Sequence, residues 1–257
     1  MKKTFLLIIL YNTMSIAQIQ TPQASPRAKF EQIVGLTKLK IDYSRPAAKG
    51  RTIMGDLVPY GKIWRTGANA DTTIEFSDDV IIAGVKLKTG KYSLFTRPGK
   101  SKWEIFFYKN FKNSGVPVEW DAKEVAASIT VETNIIDRFV EHFTISIDDM
   151  TNNEAKIYLL WEKTEVVIPV EVPTDSKAIA SIENTMKGKP SVGDYYQAAV
   201  YYRISGRDLK KAQSWMSKAL KMDSTKYWMH FQYALILAEL NQKESAIKSS
   251  KISLKLS

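Results

Sequence analysis

Between Tyr43 and Asn69 the chain carries Arg45, Arg51 and Arg65, Lys49 and Lys62, and the aromatic side chains of Tyr43, Tyr60 and Trp64, closed by Asn69. Guanidinium forks suit the paired oxygens of a carboxylate or phosphate, and lysines add point charge. Flat aromatic faces suit a sugar ring or a peptide, and Asn69 supplies both a donor and an acceptor. These residues form the candidate binding set for an anionic or carbohydrate-like ligand. They also have a possible structural use: Arg45 and Arg65 could pair with Asp42, Asp56 or Asp71 to tie down a long loop, with Trp64 entering the core.

Other chemistry is thinly supplied. The chain has no cysteine and only two histidines, His142 and His230, whereas a zinc site gathers three or four clustered N or S ligands. No metal and no cofactor is expected. Asp78-Asp79 and Asp148-Asp149 could hold a hard cation, but both pairs sit at turn signals, where Asp is common anyway. There is no Gly-x-Ser-x-Gly elbow, no HExxH and no glycine-rich phosphate loop. Nor is a nucleic-acid partner expected. An enzyme would have to use His142 as a base beside Glu132 or Glu162, or a carboxylate pair among Glu75, Glu104, Glu119 and Glu132. That leaves one alternative to a binding module: a cell-envelope hydrolase or isomerase with its cleft beside the Tyr43 to Asn69 loop, and with no catalytic residue assigned.

The elements that must position these residues show two different periods. From Lys38 to Trp161 the period is two. Leu39, Ile41 and Tyr43 alternate with polar neighbours, as do Ile74 and Phe76, Trp103 with Ile105, Phe143 with Ile145 and Ile147, and Ile157 with Leu159 and Trp161. Turn signals at Ala83-Gly84, Thr89-Gly90, Pro98-Gly99, Asp148-Asp149 and Asn152-Asn153 separate the runs. Short strands at this spacing predict an antiparallel, jelly-roll-like β-sandwich over residues 18–172, with a closed barrel as the alternative. No helical segment is long enough to cross between parallel strands.

After Pro173 the pattern becomes helical to the end, giving a mainly β plus α chain. Thr174-Asp175 offers an N-cap and Ser176 to Lys187 a first helix, ended by Gly188 and Pro190. Ala212 and Ala246, Met216 and Ser250, Ala219 and Ser253 are each 34 residues apart, the period of tetratricopeptide helical hairpins. Small residues there let paired helices approach closely. Residues 173–257 therefore read as tetratricopeptide-like hairpins, or else as an ordinary four-helix appendage. From Arg203 to Ser257 there are 11 basic and 4 acidic residues. A tail so charged could touch acidic glycans, lipid head groups or an acidic protein partner, or is simply a solvated surface.

The N-terminus reads as a signal peptide: Lys2-Lys3, an apolar run from Phe5 to Tyr11, and Ser15-Ile16-Ala17. Cleavage after Ala17, and hence an exported protein, is expected. The apolar run falls short of the roughly 20 residues a membrane span needs.

The loop residues, with Thr72-Thr73-Ile74-Glu75-Phe76, Gly90-Lys91-Tyr92-Ser93-Leu94-Phe95-Thr96 and Trp161-Glu162-Lys163-Thr164, resemble the exported bacterial family catalogued as domain of unknown function 2911. The likeness covers roughly Ser25 to Val170. It implies an exported β-rich domain, sometimes followed by tetratricopeptide-like helices, and brings no established activity, cofactor or catalytic residue.

Overall fold

The computed structural model describes residues 21–111 and 115–257. The expected signal peptide, residues 1–17, lies outside the described residues. Nine strands come first: β1 (Arg27–Val34), β2 (Thr37–Ser44), β3 (Thr73–Phe76), β4 (Val80–Ile82), β5 (Val85–Leu87), β6 (Gly90–Pro98), β7 (Lys102–Tyr108), β8 (Val125–Asp148) and β9 (Glu154–Glu171). Five helices follow: α1 (Thr174–Met186), α2 (Val192–Ile204), α3 (Leu209–Met222), α4 (Tyr227–Glu239) and α5 (Lys243–Leu256). The chain divides into two compact units. One holds the strands' main bodies, within residues up to 32, 38–149 and 155–170; the other holds residues 33–37, 150–154 and 171–257.

The strands form one antiparallel sheet in the order β1-β2-β3-β6-β7-β8-β9-β4-β5. Register follows the alternation in the sequence: Leu39 faces Phe76 and Ile41 faces Ile74 across β2 and β3, putting their apolar side chains on one buried face. Ala83 and Gly84, at φ +46° and +83°, make the tight β4–β5 turn.

The expected two layers are arms of a single sheet. β8 is 24 residues long, and its first part, Val125–Glu132, pairs with β7 while Thr133–Asp148 pairs with β9. Where it passes from one partner to the other, Ile135 pairs with Thr164 and Val140 with Glu162, so β8 carries an excursion that β9 lacks. Glu162 opposite it has φ +52°, the backbone signature of a bulge. The core between the arms is aromatic. The Trp64 ring lies 6.2 Å from Trp103 of β7, 5.0 Å from Phe143 of β8 and 5.8 Å, stacked, from Trp161 of β9. Pairs of this kind are each worth about 0.5–1.5 kcal/mol beyond their burial.

In the helical unit Ala199, Tyr202, Ala212, Met216, Ala219, Met229 and Ile236 form the core. α2 begins with a reciprocal capping box between Ser191 and Asp194, and α3 with Asp208 accepting from Lys210 and Lys211 N–H. Starts of α3 and α5 at Leu209 and Lys243 keep the 34-residue spacing, compatible with tetratricopeptide-like hairpins. Two details differ from expectation. Ser250 is exposed and Ser249 is buried in its place, donating to the His230 carbonyl, while Ser253 is buried as the spacing implies and donates to the Tyr227 carbonyl. Thr174 is no cap, because its hydroxyl accepts from Leu36 N at 3.3 Å.

Candidate functional site

The Tyr43 to Asn69 segment begins by finishing an edge. The side of β8 facing away from β9 exposes backbone groups at residues 141–145, and the chain leaving β2 satisfies them. Phe143 N donates to Pro46 O at 2.9 Å, and Ala48 N donates to Glu141 O at 2.8 Å. Backbone cannot reach the remainder, so side chains do. Tyr43 Oη accepts from Ile145 N at 2.9 Å and donates to Ile145 O at 3.3 Å. Arg45 donates through Nε to Phe143 O at 3.2 Å and through Nη2 to Thr144 Oγ1 at 2.8 Å.

Tyr43 and Arg45 were expected on the ligand-binding surface, and the structure turns both inward. Tyr43 is 3 % exposed, and the half-buried Arg45 guanidinium has its Nε and Nη2 engaged by β8. Of the carboxylates proposed as partners for Arg45 and Arg65, Asp42 and Asp71 are engaged elsewhere. Burial opposes ionisation of Asp42, but hydrogen bonds and charge from Arg27 and Lys29 outweigh it and hold the carboxyl below its ordinary value. Buried Asp71 accepts from Ser93 Oγ at 2.8 Å and Gly115 N at 3.0 Å.

Beyond Ala48 the loop turns outward. Lys49, at φ +50°, and Gly50 make the corner, fixed by Lys49 N donating to Glu141 Oε1. Arg51 folds back onto the same corner, Nε to Ala48 O at 3.0 Å and Nη2 to Ala47 O at 2.7 Å. Buried Ile53 and Val58 plug the loop into the fold below. The Tyr60 ring covers Gly55, where a Cβ would stand 2.6 Å from the ring.

The stretch from Trp64 to Asn69 holds the tightest backbone. Trp64 exchanges backbone hydrogen bonds with Thr96 of β6, 2.7 and 3.0 Å, and its ring N–H donates to Gly67 O. Surrounded by Trp103, Phe143 and Trp161, Trp64 is half-buried and serves the core as much as the surface. Thr66 is fully buried at φ +53°, a conformation β-branched residues rarely adopt and one costing about 1–3 kcal/mol. Thr72 holds it there by donating to Thr66 O at 2.6 Å, with Thr96 Oγ1 3.2 Å from its hydroxyl. Arg65 Nη1 donates to Asn69 O at 2.9 Å and lies against Gly115. The Asn69 amide donates to Ser25 O and Ser44 Oγ, so it pins the incoming N-terminal segment.

Among the described residues two clefts open on this platform. The larger, about 480 Å³, is lined by Ser25, Ala47, Lys49, Arg51, Leu57 and Ala68 among others. The smaller, about 200 Å³, is lined by Leu57, Pro59, Lys62, Trp64, Arg65 and Val116 among others. Leu57, 45 % exposed, is shared and forms the ridge between them. Neither lining contains an acidic residue or a histidine. None of Lys49, Arg51, Lys62 and Arg65 takes part in an ion pair among the described residues.

The structure thus sorts the candidate set. Lys49 and Arg51 meet in one cleft, and Lys62, Trp64 and Arg65 in the other; Tyr60 lies beside them over Gly55, Asn69 is a pin, and Tyr43 and Arg45 are clamps. Sequence reasoning missed Leu57 and Thr66, and it considered Asp71 as a partner for Arg45 or Arg65 rather than for Ser93 and Gly115. Nothing in the local sequence marks Thr66 as left-handed.

Most of the carboxylates considered for catalysis have partners of their own. His142 is exposed, Glu132 pairs with Lys102, Glu104 with Arg97, and Glu162 accepts from Met54 N. Among the described residues no three His, Asp or Glu side chains gather to hold a metal ion.

Compared with known families, residues 25–170 match the one described as "Protein of unknown function (DUF2911)". The chain belongs to this family. The DUF2911 match covers the whole loop platform and the sheet from before β1 to the last but one residue of β9, and the five helices lie beyond it. No curated protein matches the chain. Among the described residues no helix is long and apolar enough to cross a membrane.

Proposed function

We propose that this DUF2911 protein is an exported, non-catalytic binding module, released by cleavage after Ala17, whose sheet unit takes an anionic or carbohydrate-like ligand. Its helical tail is the protein-interaction part. The ligand lies across the two clefts, with carboxylates or other anionic groups against Lys49 and Arg51 on one side of Leu57 and against Lys62 and Arg65 on the other.

One observation carries this reading: four cations line two adjoining clefts whose linings hold no acid, and none has an ion-pair partner among the described residues. Uncompensated charge in a concave, partly apolar setting favours an anion. Arg51 is pre-set for the task. Its two bonds to the Ala47 and Ala48 carbonyls fix the guanidinium while leaving other N–H donors of the fork free. Such fixing lowers the ordering cost of binding.

The test is a thermal-shift titration of the full chain with oligogalacturonide, a uronate polymer, against neutral dextran. Binding to the folded state raises the melting temperature by mass action. Oligogalacturonide should raise it and dextran should not, and the shift should vanish in the Lys49→Ala/Arg51→Ala variant measured against its own unliganded baseline. A shift untouched by that double substitution, or none with uronate and sulfated oligosaccharides alike, would overturn the reading.

A further inference from the structure

The helical unit carries a second feature that the ligand surface does not use. α3 and α5 flank a groove of about 290 Å³ floored by α4, with Leu220, Tyr233, Leu237 and Ile252 as its apolar lining and Lys248 at its side. No acidic residue lines it. The flanking helices are strongly one-signed: α3 carries four lysines and no acid, α5 four lysines and the single Glu244. None of these lysines forms an ion pair among the described residues. Lys248, Lys251 and Lys255 recur at i, i+3 and i+7, so they form one stripe along α5 beside Ile252.

A solvated helix face ordinarily mixes both signs in i,i+4 pairs. Apart from Glu244, four residues before Lys248, α3 and α5 offer no such partner, and the lysine stripe of α5 lies without an ion pair beside the apolar residues of the groove. The complement is a segment with apolar side chains directed inward and carboxylates directed outward.

We propose that the α3–α4–α5 groove docks an acidic amphipathic peptide segment of another protein, its apolar side chains between Leu220 and Ile252 and its carboxylates against the α5 lysine stripe. A membrane fits less well. Lipid association calls for an apolar crest that can enter the acyl boundary, whereas here the apolar lining sits between two lysine-bearing helices. The proposal rests on reading the helical tail as the interaction part, and it is independent of the clefts at Leu57.

Fluorescence anisotropy tests it, using the full chain and a labelled amphipathic Glu–Leu peptide. Controls are a Glu–Ser peptide of equal charge, a Lys–Leu peptide, and anionic phosphatidylglycerol vesicles. The Glu–Leu peptide alone should bind, more weakly at higher salt. Lys248→Glu/Lys251→Glu/Lys255→Glu should weaken it roughly tenfold or more, and Ile252→Ser roughly fivefold, with the helical circular dichroism retained. Lys49→Ala/Arg51→Ala should leave peptide binding unchanged, which separates this groove from the sheet unit's clefts. Equal binding of the Glu–Ser peptide, adsorption to vesicles without peptide binding, or indifference to Ile252→Ser would overturn the proposal. The peptide comparison needs only the unsubstituted chain, so it decides even if the triple variant fails to fold.

Discussion

Replacing Tyr43 by Phe removes one oxygen atom and tests whether this residue is a clamp or a ligand contact. The ring stays, and with it the edge-on packing against Phe143 at 5.9 Å. What is lost is the hydroxyl that accepts from Ile145 N at 2.9 Å and donates to Ile145 O at 3.3 Å. Both backbone groups then lie buried without that partner. An unsatisfied buried donor costs about 1–3 kcal/mol, and the longer carbonyl contact adds less, so about 2 kcal/mol is expected. For a domain of this size each kcal/mol moves the melting temperature by about 2–4 °C, giving a fall of about 4–8 °C. Urea unfolding followed by tryptophan fluorescence measures the loss as a shifted midpoint at constant slope. Oligogalacturonide affinity should not change. A loss below about 0.5 kcal/mol, or a variant that keeps its stability and loses ligand, would refute the clamp.

Gly67→Ala should cost about 2–3 kcal/mol in the same assay, because the new Cβ would stand 2.8 Å from Thr72 Oγ1 and 3.1 Å from Ser44 O. The Thr72 hydroxyl cannot swing away without releasing Thr66 O. Gly35→Ala should cost about 3 kcal/mol or more and lower the helical signal at moderate temperature, since φ is +55° and its Cβ would meet Thr174 Oγ1 at 1.8 Å and Asn152 O at 2.1 Å. Unchanged melting in either variant would refute the packing argument. Tyr201 gives a pH dependence: burial first, then its hydrogen bond to Asp175, pushes its hydroxyl from 10.0 up to about 12. A raised folded value means the contribution to stability is complete below pH 10 and lost as pH climbs toward 12. The stability of Tyr201→Phe should therefore fall less across that window than that of the unsubstituted chain; parallel curves would count against it.

Much of the sheet was legible because burial on one face imposes a period of two, as at Leu39, Ile41, Ile74 and Phe76. The continuity of β8 was not. Near Ile135 to Val140 its excursion breaks the alternation, and Ile135 and Phe139 there are exposed, so no buried apolar stripe runs through. β1 escaped notice for a related reason: its sequence RAKFEQIV is exposed or half-buried up to its last residue, so no apolar stripe marks it. The 34-residue helical spacing was visible, yet Ser249 rather than Ser250 packs inward, a choice made by the carbonyl of His230 on α4.

The candidate site was legible as a segment and not residue by residue. Tyr and Arg are amphipathic, so composition alone does not say whether they face water or a neighbouring strand. What turned Tyr43 and Arg45 inward was the unpaired edge of β8 about a hundred residues away in sequence. Lys49, Arg51, Lys62 and Arg65 stayed outward because Gly50, Gly55 and Gly61, at φ +72°, +91° and +72°, carry the backbone around corners that leave them there.

Because one strand belongs to both arms of the sheet, neither arm can peel away alone. Opening β7 from its side of β8, or β9 from the other, unseats the same backbone, so fraying on one side propagates across the fold. Amide exchange from Ile129 to Ile157 should therefore show a shared opening energy close to that of global unfolding, where separate sheets would each open at an energy of their own. A ligand held on the loop that grips β8 at residues 141–145 would, through that grip, quiet exchange as far away as β7.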